Sequence, residues 1–288
     1  MINFKSFYKK RFAGQIFVVK AGGRIIEDDT ARLSLLKNIH ELTNDGIKVL
    51  LIYGGGAAID AAIQSEKREP TKIDGRRITS EADIACVKKV LAGDFAFRIL
   101  ENMAKLDLDG YVFNTVPDHW ALYKRRPKKN DITRFDATIE KVHTKFPRKM
   151  FETTRLIIVP CLSLLKQGVT VNINADNMAV ALASGMKAAK LIFLTDVDGV
   201  KIDDTVQSVL TPADIEQMIN DKTVIGGMQV KLENCVDALR AGVKRVHILN
   251  GFKKDMLRNE VYTKAGTGTM IVRQAEKTKY DKELKTEK

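Results

Sequence analysis

The stretch FVVKAGGRII, Phe17 to Ile26, ends an apolar run with a lysine and then sets two glycines in succession. A short β-branched run bounded by glycine has the length and content of a buried strand. Lys20 then stands at the carboxyl end of that strand, the edge at which open parallel sheets present their ligands. Gly22 and Gly23 let the backbone come close to a phosphate and aim N–H groups at it, since glycine accepts the required dihedrals at little cost. Taken alone, the pair reads equally well as a tight structural turn.

The next apolar run repeats the design. In VLLIYGGGAAID, Val49 to Asp60, the glycines Gly54, Gly55 and Gly56 again separate a strand-like run from a helix start. Backbone donors and a helix dipole would serve the same anion. Neither elbow closes with the lysine and hydroxyl residue of a Walker loop, and neither is a dinucleotide fingerprint. A plain strand-to-helix turn is the other reading.

Beyond these elbows, apolar runs alternate with amphipathic segments for most of the chain. IFVV, VLLIY, GYVFN, LIIVP, LIFLT and RVHIL are the strand candidates. TARLSLLKNIHELTNDG reads as a helix stopped by Gly46, and TSEADIACVKKVLAGDFAFRILENMAKLD as one long helix capped by Thr79 or Ser80. NADNMAVALASGM and GGMQVKLENCVDALRAG are helices of the second half. This alternation predicts an α/β fold with an open, mainly parallel sheet between helices. The tail RQAEKTKYDKELKTEK has no apolar face and predicts a frayed end.

At 288 residues, with 44% hydrophobic and 29% charged, the chain can bury a large core or two lobes around a cleft. Its longest apolar segment, LIIVPCLSLL, contains Pro160 and falls short of the roughly 18 residues of a membrane span. No secretory pattern opens the sequence. The three cysteines form no metal spacing, which fits a reduced setting. The expectation is a soluble, cytoplasmic protein without a membrane partner. The charge of +12 raises the question of nucleic acid, but residues 124–149 alone carry ten Lys or Arg against three acids. That segment reads as a solvated basic loop or as an attraction for anionic substrates, and no nucleic-acid partner is expected.

Three further stretches carry chemistry. DGRRITSEAD holds Arg76 and Arg77, and an arginine fork suits a carboxylate through two parallel hydrogen bonds. VTVNINADNMAVALA places Asn172, Asn174 and Asp176 at alternate positions, which on extended backbone puts all three on one side; Asn174 and Asp176 also read as caps of the helix that follows. GGMQVKLEN aims Lys231 through the helix start at Gly226 and Gly227. Two lysines, two glycine nests and one aspartate suffice for phosphoryl transfer, where positioning and charge neutralisation dominate.

The ordered set VVKAGG, YGGG, GRRIT, NINADNMA, FLTDVDGV, GGMQVK and AGTGTMI resembles the amino-acid kinase superfamily, and within it most the N-acetylglutamate kinases. The resemblance runs from about Phe12 to Val272. It implies an N-terminal helix (1–14), an N-terminal lobe for acidic amino-acid substrate and dimerisation (15–170), a C-terminal nucleotide lobe (171–273) and the charged tail (274–288). Carried over, Lys20 and Lys231 hold the transferring phosphoryl group and Asp176 orients them. Gly23, Gly54 and Gly55 cradle phosphate oxygens, with Gly54 and Gly55 on the substrate side. Arg77, Asn172 and Asn174 bind the acceptor, while Gly22, Gly23, Thr195, Asp196 and Gly227 line the nucleotide site. The implied cofactors are ATP and Mg²⁺, with no metal ligand identified. The implied activity is phosphorylation of the side-chain carboxylate of N-acetyl-L-glutamate, a step of arginine biosynthesis. The implied assembly is a homodimer, extended to a hexamer by the N-terminal helix in arginine-inhibited members, with arginine as effector.

Three departures leave the acceptor open. The usual histidine before the glycine triplet is Tyr53, the glycine-X-valine-asparagine-lysine stretch becomes GDFAFR (93–98), and the glycine-rich hairpin is replaced by the bulky, basic 117–130 segment. Another N-acylated or carrier-linked carboxylate, or a non-catalytic arginine-sensing subunit, are the alternatives.

Overall fold

The computed structural model describes residues 4–73, 76–128, 133–263 and 266–278. Its main sheet contains β1 (Ile16–Ala21), β2 (Lys48–Tyr53), β5 (Tyr111–Val112), β8 (Leu156–Pro160), β11 (Lys190–Thr195), β14 (Val209–Leu210), β15 (Arg245–Asn250) and β16 (Thr269–Ile271). The order is β14-β16-β15-β11-β1-β2-β8-β5, and every pairing is parallel except β15 with β16. All six predicted runs are strands, though GYVFN gives only the two residues of β5. β1 lies between β2 and β11, so Lys20 is in register with Ile52 on one side and Phe193 on the other. Val18, Val19, Leu50, Leu51, Ile192 and Phe193 are fully buried, which is why these runs carry no alternation.

A second sheet, in the order β6-β7-β10-β9, combines β6 (Ala121–Arg125), β7 (Asp136–Val142), β10 (Thr170–Ile173) and β9 (Leu162–Leu164). It includes much of the basic segment, so residues 124–149 are not a loop throughout. Trp120 enters fully buried just before β6, and burial of so large an apolar side chain contributes roughly 2–3 kcal/mol. Two small hairpins, β3 (Lys72–Ile73) with β4 (Arg76–Arg77) and β12 (Lys201–Ile202) with β13 (Thr205–Val206), complete the strands of the described residues.

The helices are α1 (Phe4–Phe12), α2 (Gly23–Glu27), α3 (Asp29–Asn44), α4 (Gly56–Ser65), α5 (Glu81–Lys88), α6 (Ala96–Leu106), α7 (Lys145–Met150), α8 (Ala175–Gly185), α9 (Pro212–Asn220), α10 (Gly226–Arg240) and α11 (Met256–Tyr262). Ser80, not Thr79, caps α5, in a reciprocal box with Asp83. The helix expected from 79 to 107 is not continuous: a π-helical segment, Lys89–Phe95, separates α5 from α6. Such a wide turn is the form an inserted residue takes inside a helix. In α1, Tyr8 and Phe12 stack at 5.9 Å and Phe12 meets Phe17 of β1, while Phe7 is half exposed. The tail is more ordered than its composition suggests. Residues 274–278 form a helical turn held by Arg245 to Glu276 and Lys277 to Asp214; residues 279–288 lie outside the described residues.

Candidate active site

The carboxyl ends of β1, β2, β8 and β11 open into a cleft of about 660 Å³. The first elbow puts Lys20, Gly22 and Gly23 on its wall and the second puts Gly54, Gly55 and Gly56 there. The elbows touch: a methyl built on Gly23 would lie 2.7 Å from Gly55 Cα. Gly54 donates its N–H to Ala21 O at 3.3 Å, so that amide joins the elbows and is not free for a phosphate, contrary to the sequence expectation.

Beside the elbows lies the charge cluster. Lys20 Nζ is 2.8 Å from Asp176 Oδ1, and Lys231 Nζ is 3.0 Å from Asp176 Oδ2. All three side chains are mostly buried. Burial pushes the Asp176 carboxyl up, but the lysines on either side outweigh it and hold it at about 2. The group is therefore an anion at neutral pH, shared by two cations. Lys231 also lies 5.4 Å from the centre of the Phe193 ring.

Asn172, Asn174 and Asp176 do not share one extended face, as their alternation suggested. β10 ends at Ile173, Asn174 is the N-cap of α8 with its side chain accepting from Asn177 N at 3.0 Å, and Asp176 sits in the first turn. Helical geometry, not strand alternation, turns Asp176 to the lysines. Asn172 remains on β10 and donates to Thr79 Oγ1 at 3.2 Å. Asn172 and Asn174 both line the cleft.

Arg77 reaches the same cleft from β4. Its side chain is 7% exposed, with Nη2 2.6 Å from Asp60 Oδ1 and 3.0 Å from Gly56 O. Nη1 is buried without a partner. An unpaired guanidinium nitrogen is costly in an apolar surround, and an acid that completes the fork removes the cost. Asp60 also holds Lys72 at 2.6 Å. Cys161, on the cleft wall, has its thiol pushed up to about 12 by burial and stays protonated.

Thr195 and Asp196, at the end of β11, form the opposite wall. Gly227 lies outside this wall, exposed as the second residue of α10. Next to it Met228 lines a second hollow, of about 330 Å³, with Asp196, Val197 and Gly199. Among the described residues no group of three or more His, Cys, Asp or Glu is arranged to hold a metal. A Mg²⁺ ion suits this donor set only if phosphate oxygens carry it, with the carboxylates of Asp196 and Asp198 at hand in the second hollow.

Several residues here were not singled out from the sequence: Asp60, which positions Arg77; Arg24, directly after the first glycine pair; Arg126, directly after β6; and Asp136, which opens β7. Arg24 was in view as the residue following the glycines, whereas the Asp136 partners depend on strand pairing. Tyr53 does not face the cleft: fully buried, its hydroxyl donates to Leu91 O at 2.9 Å, and burial pushes the phenol well up.

A buried anion shared by two lysines, beside paired glycine elbows at the edge of a parallel sheet, defines a phosphoryl-transfer fold. The family model described as the amino acid kinase family matches residues 15–250. The acetylglutamate kinase of Methanocaldococcus jannaschii is 32% identical over 278 residues, covering 92% of each chain. That of Halothermothrix orenii is 32% identical, covering 93% of this chain and 94% of its own. Among solved structures, N-acetylglutamate synthase from Neisseria gonorrhoeae, complexed with coenzyme A and L-arginine, superposes with a TM-score of 0.84 at 24% identity. The match covers 94% of this chain but 64% of that one, so the likeness is one of fold. Giardia lamblia carbamate kinase bound to AMP-PNP gives 0.63 at 17% identity, covering 91% and 99%. The chain belongs to the amino acid kinase family.

Proposed function

We propose that the protein transfers the γ-phosphoryl group of ATP to the side-chain carboxylate of N-acetyl-L-glutamate, the acyl-phosphate step of arginine biosynthesis, in the cytoplasm. The observation that carries the reading is the pair Lys20 and Lys231 on Asp176, with the unpaired Arg77 Nη1 in the adjoining cleft. The acceptor carboxylate is ionised at neutral pH, so its attack needs no general base. Lys20 and Lys231 neutralise the oxygens of the phosphoryl group in flight, and Asp176 fixes the distance between them. Arg77 binds the α-carboxylate and Asn172 and Asn174 orient the acylamide. Gly23 and Gly55 bring the backbone close to the phosphates, and Gly22, Thr195 and Gly227 border the nucleotide. Mg²⁺, bound through the polyphosphate with Asp196 and Asp198 nearby, would add positive charge against the phosphates.

The test is an ATP-dependent hydroxylamine trap with N-acetylglutamate and a panel of other acids. Hydroxamate with N-acetylglutamate alone is the expected result. Signal with another acid only would move the acceptor to a different acylated or carrier-linked carboxylate. That second reading is favoured by Arg126 and Asp136 on the cleft wall, where the family's glycine-rich hairpin is replaced.

Arginine as effector fits a small hollow between α1 and the C-terminal segment, where Tyr8 and Phe12 meet His247 and Glu260. Glu260 is buried and acidic: burial raises its carboxyl, but the neighbouring His247 and Lys190 hold it at about 2. An unchanged rate at saturating arginine would remove this reading. Phe97 and Leu100, exposed on α6, and Phe7 on α1 suit a homodimer that α1 extends to a hexamer; light scattering at the monomer mass would refute it.

A further inference from the structure

Arg24 is the first residue after the glycine pair, on α2, and its side chain is 66% exposed into the cleft wall. Its Nη1 lies 2.6 Å from Asp196 Oδ2, while Asp196 Oδ1 accepts from Thr195 Oγ1 at 3.1 Å. Asp196 lines both hollows: the cleft that holds Lys20 and the glycine elbows, and the second one with Val197, Gly199 and Met228. The Arg24–Asp196 pair therefore stands at the junction of the two. A nucleotide with its terminal phosphate at Lys20 and its nucleoside in the second hollow must thread its inner phosphates past this point. There it would meet the Asp196 carboxylate unless a cation intervenes.

We propose that Arg24 is a polyphosphate-binding residue that exchanges its pairing with Asp196 for the β-phosphate when ATP or ADP binds. The inference rests on the kinase reading above. Guanidinium is the cation best shaped for a phosphate, with parallel donors in one plane. The pair it leaves is exposed, and exposed ion pairs hold little net free energy, so the exchange is nearly free of cost. Asp196 holds the guanidinium extended across the junction, where the inner phosphates would pass. The flanking chain fixes the base of the arm, because Gly22 O accepts from Ile25 N at 3.0 Å and α2 starts at Gly23.

The test is calorimetric titration of ATP, ADP and AMP into the wild-type protein, Arg24→Ala, Arg24→Lys, Asp196→Ala and the Arg24→Ala/Asp196→Ala double variant. Arg24→Ala should weaken ATP and ADP about tenfold, which is about 1.4 kcal/mol, and AMP less than twofold. Arg24→Lys should fall between, keeping the charge but not the fork. The tenfold loss should persist when Asp196→Ala is the starting protein. Equal ADP affinity with and without Arg24 would overturn the proposal, as would an equal loss for AMP. Disappearance of the effect in the Asp196→Ala background would overturn it too, leaving Arg24 as a mere counter-charge. Wild-type protein that binds neither ATP nor ADP would overturn both this inference and the kinase reading, whereas the other outcomes sink this inference alone.

Discussion

Replacing Gly23 by alanine should separate the two glycine elbows without unfolding the protein. The new Cβ would lie 2.7 Å from Gly55 Cα, 2.9 Å from Gly55 C and 3.0 Å from Gly54 O, all backbone atoms with no rotamer to yield. Ordinary contact requires the second elbow to retreat by about 0.7 Å. Overpacking of this kind costs about 1–3 kcal/mol, a modest loss for a chain with so extensive a core. Its catalytic effect should be larger, since a misplacement near 1 Å can cost on the order of 100-fold in rate. Turnover in the hydroxamate assay, at saturating ATP and N-acetylglutamate, should fall by roughly 30- to 100-fold. Circular dichroism should be unchanged and the melting temperature only a few degrees lower. The same change at Gly22, whose methyl would meet nothing nearer than Leu194 O at 3.8 Å, should cost much less. A Gly23→Ala protein that keeps more than about a third of the wild-type turnover would refute the argument that close contact of the elbows sets the phosphate geometry.

Asp176→Asn leaves Lys20 and Lys231 without their shared anion, so turnover should drop by on the order of 100-fold, with ATP affinity changed far less; equal losses in both would contradict its orienting role. Arg77→Ala should raise the Michaelis constant for N-acetylglutamate by at least about tenfold and leave ATP binding intact, and a loss of ATP affinity instead would put Arg77 in the nucleotide half. Burial, aided by Lys190, holds the His247 imidazole at about 4, below its usual 6.5. The unfolded chain therefore binds the extra proton first, and stability present above pH 6.5 is lost as pH falls toward 4. The loss is on the order of 3 kcal/mol at 1.36 kcal/mol per pKa unit. Urea midpoints measured across that range should drop steeply for the wild type and more shallowly for His247→Gln; parallel slopes would show that His247 is not the source.

The legible parts of this sequence are those whose physics is local. A buried strand followed by glycines announces itself within ten residues, and so β1, β2 and both elbows were readable, as was the launch of α10 toward Lys231. Asp176 was found for an incomplete reason. Its spacing from Asn172 suggested a strand face, but Asn174 caps a helix and α8 delivers the carboxylate. The interruption at Lys89–Phe95 left no mark, because a π turn uses the same residues as the helix around it and depends on tertiary packing. Nonlocal pairs were likewise hidden. Nothing near Asp60 in the sequence points to Arg77, and nothing near Arg24 points to Asp196, 172 residues away. The basic segment was harder still: its composition predicted a solvated loop, but alternation along β6 turns Ala121 and Tyr123 inward behind the buried Trp120, and Arg134 and Asp136 neutralise each other.

β1 is hydrogen-bonded to β2 on one side and to β11 on the other, the flanks from which the proposed reading brings the acceptor and the nucleotide. If the cleft closes by twisting of the sheet, the strand in the middle is the axis, and an axis moves least. Lys20 would then stay almost still while Arg77 and Asp196 swing toward it from opposite flanks. The lysine would be the fixed point against which two moving substrates are measured, and a stiff β1, its apolar centre buried from Phe17 to Val19, would be as much a requirement of accurate alignment as the charge it carries.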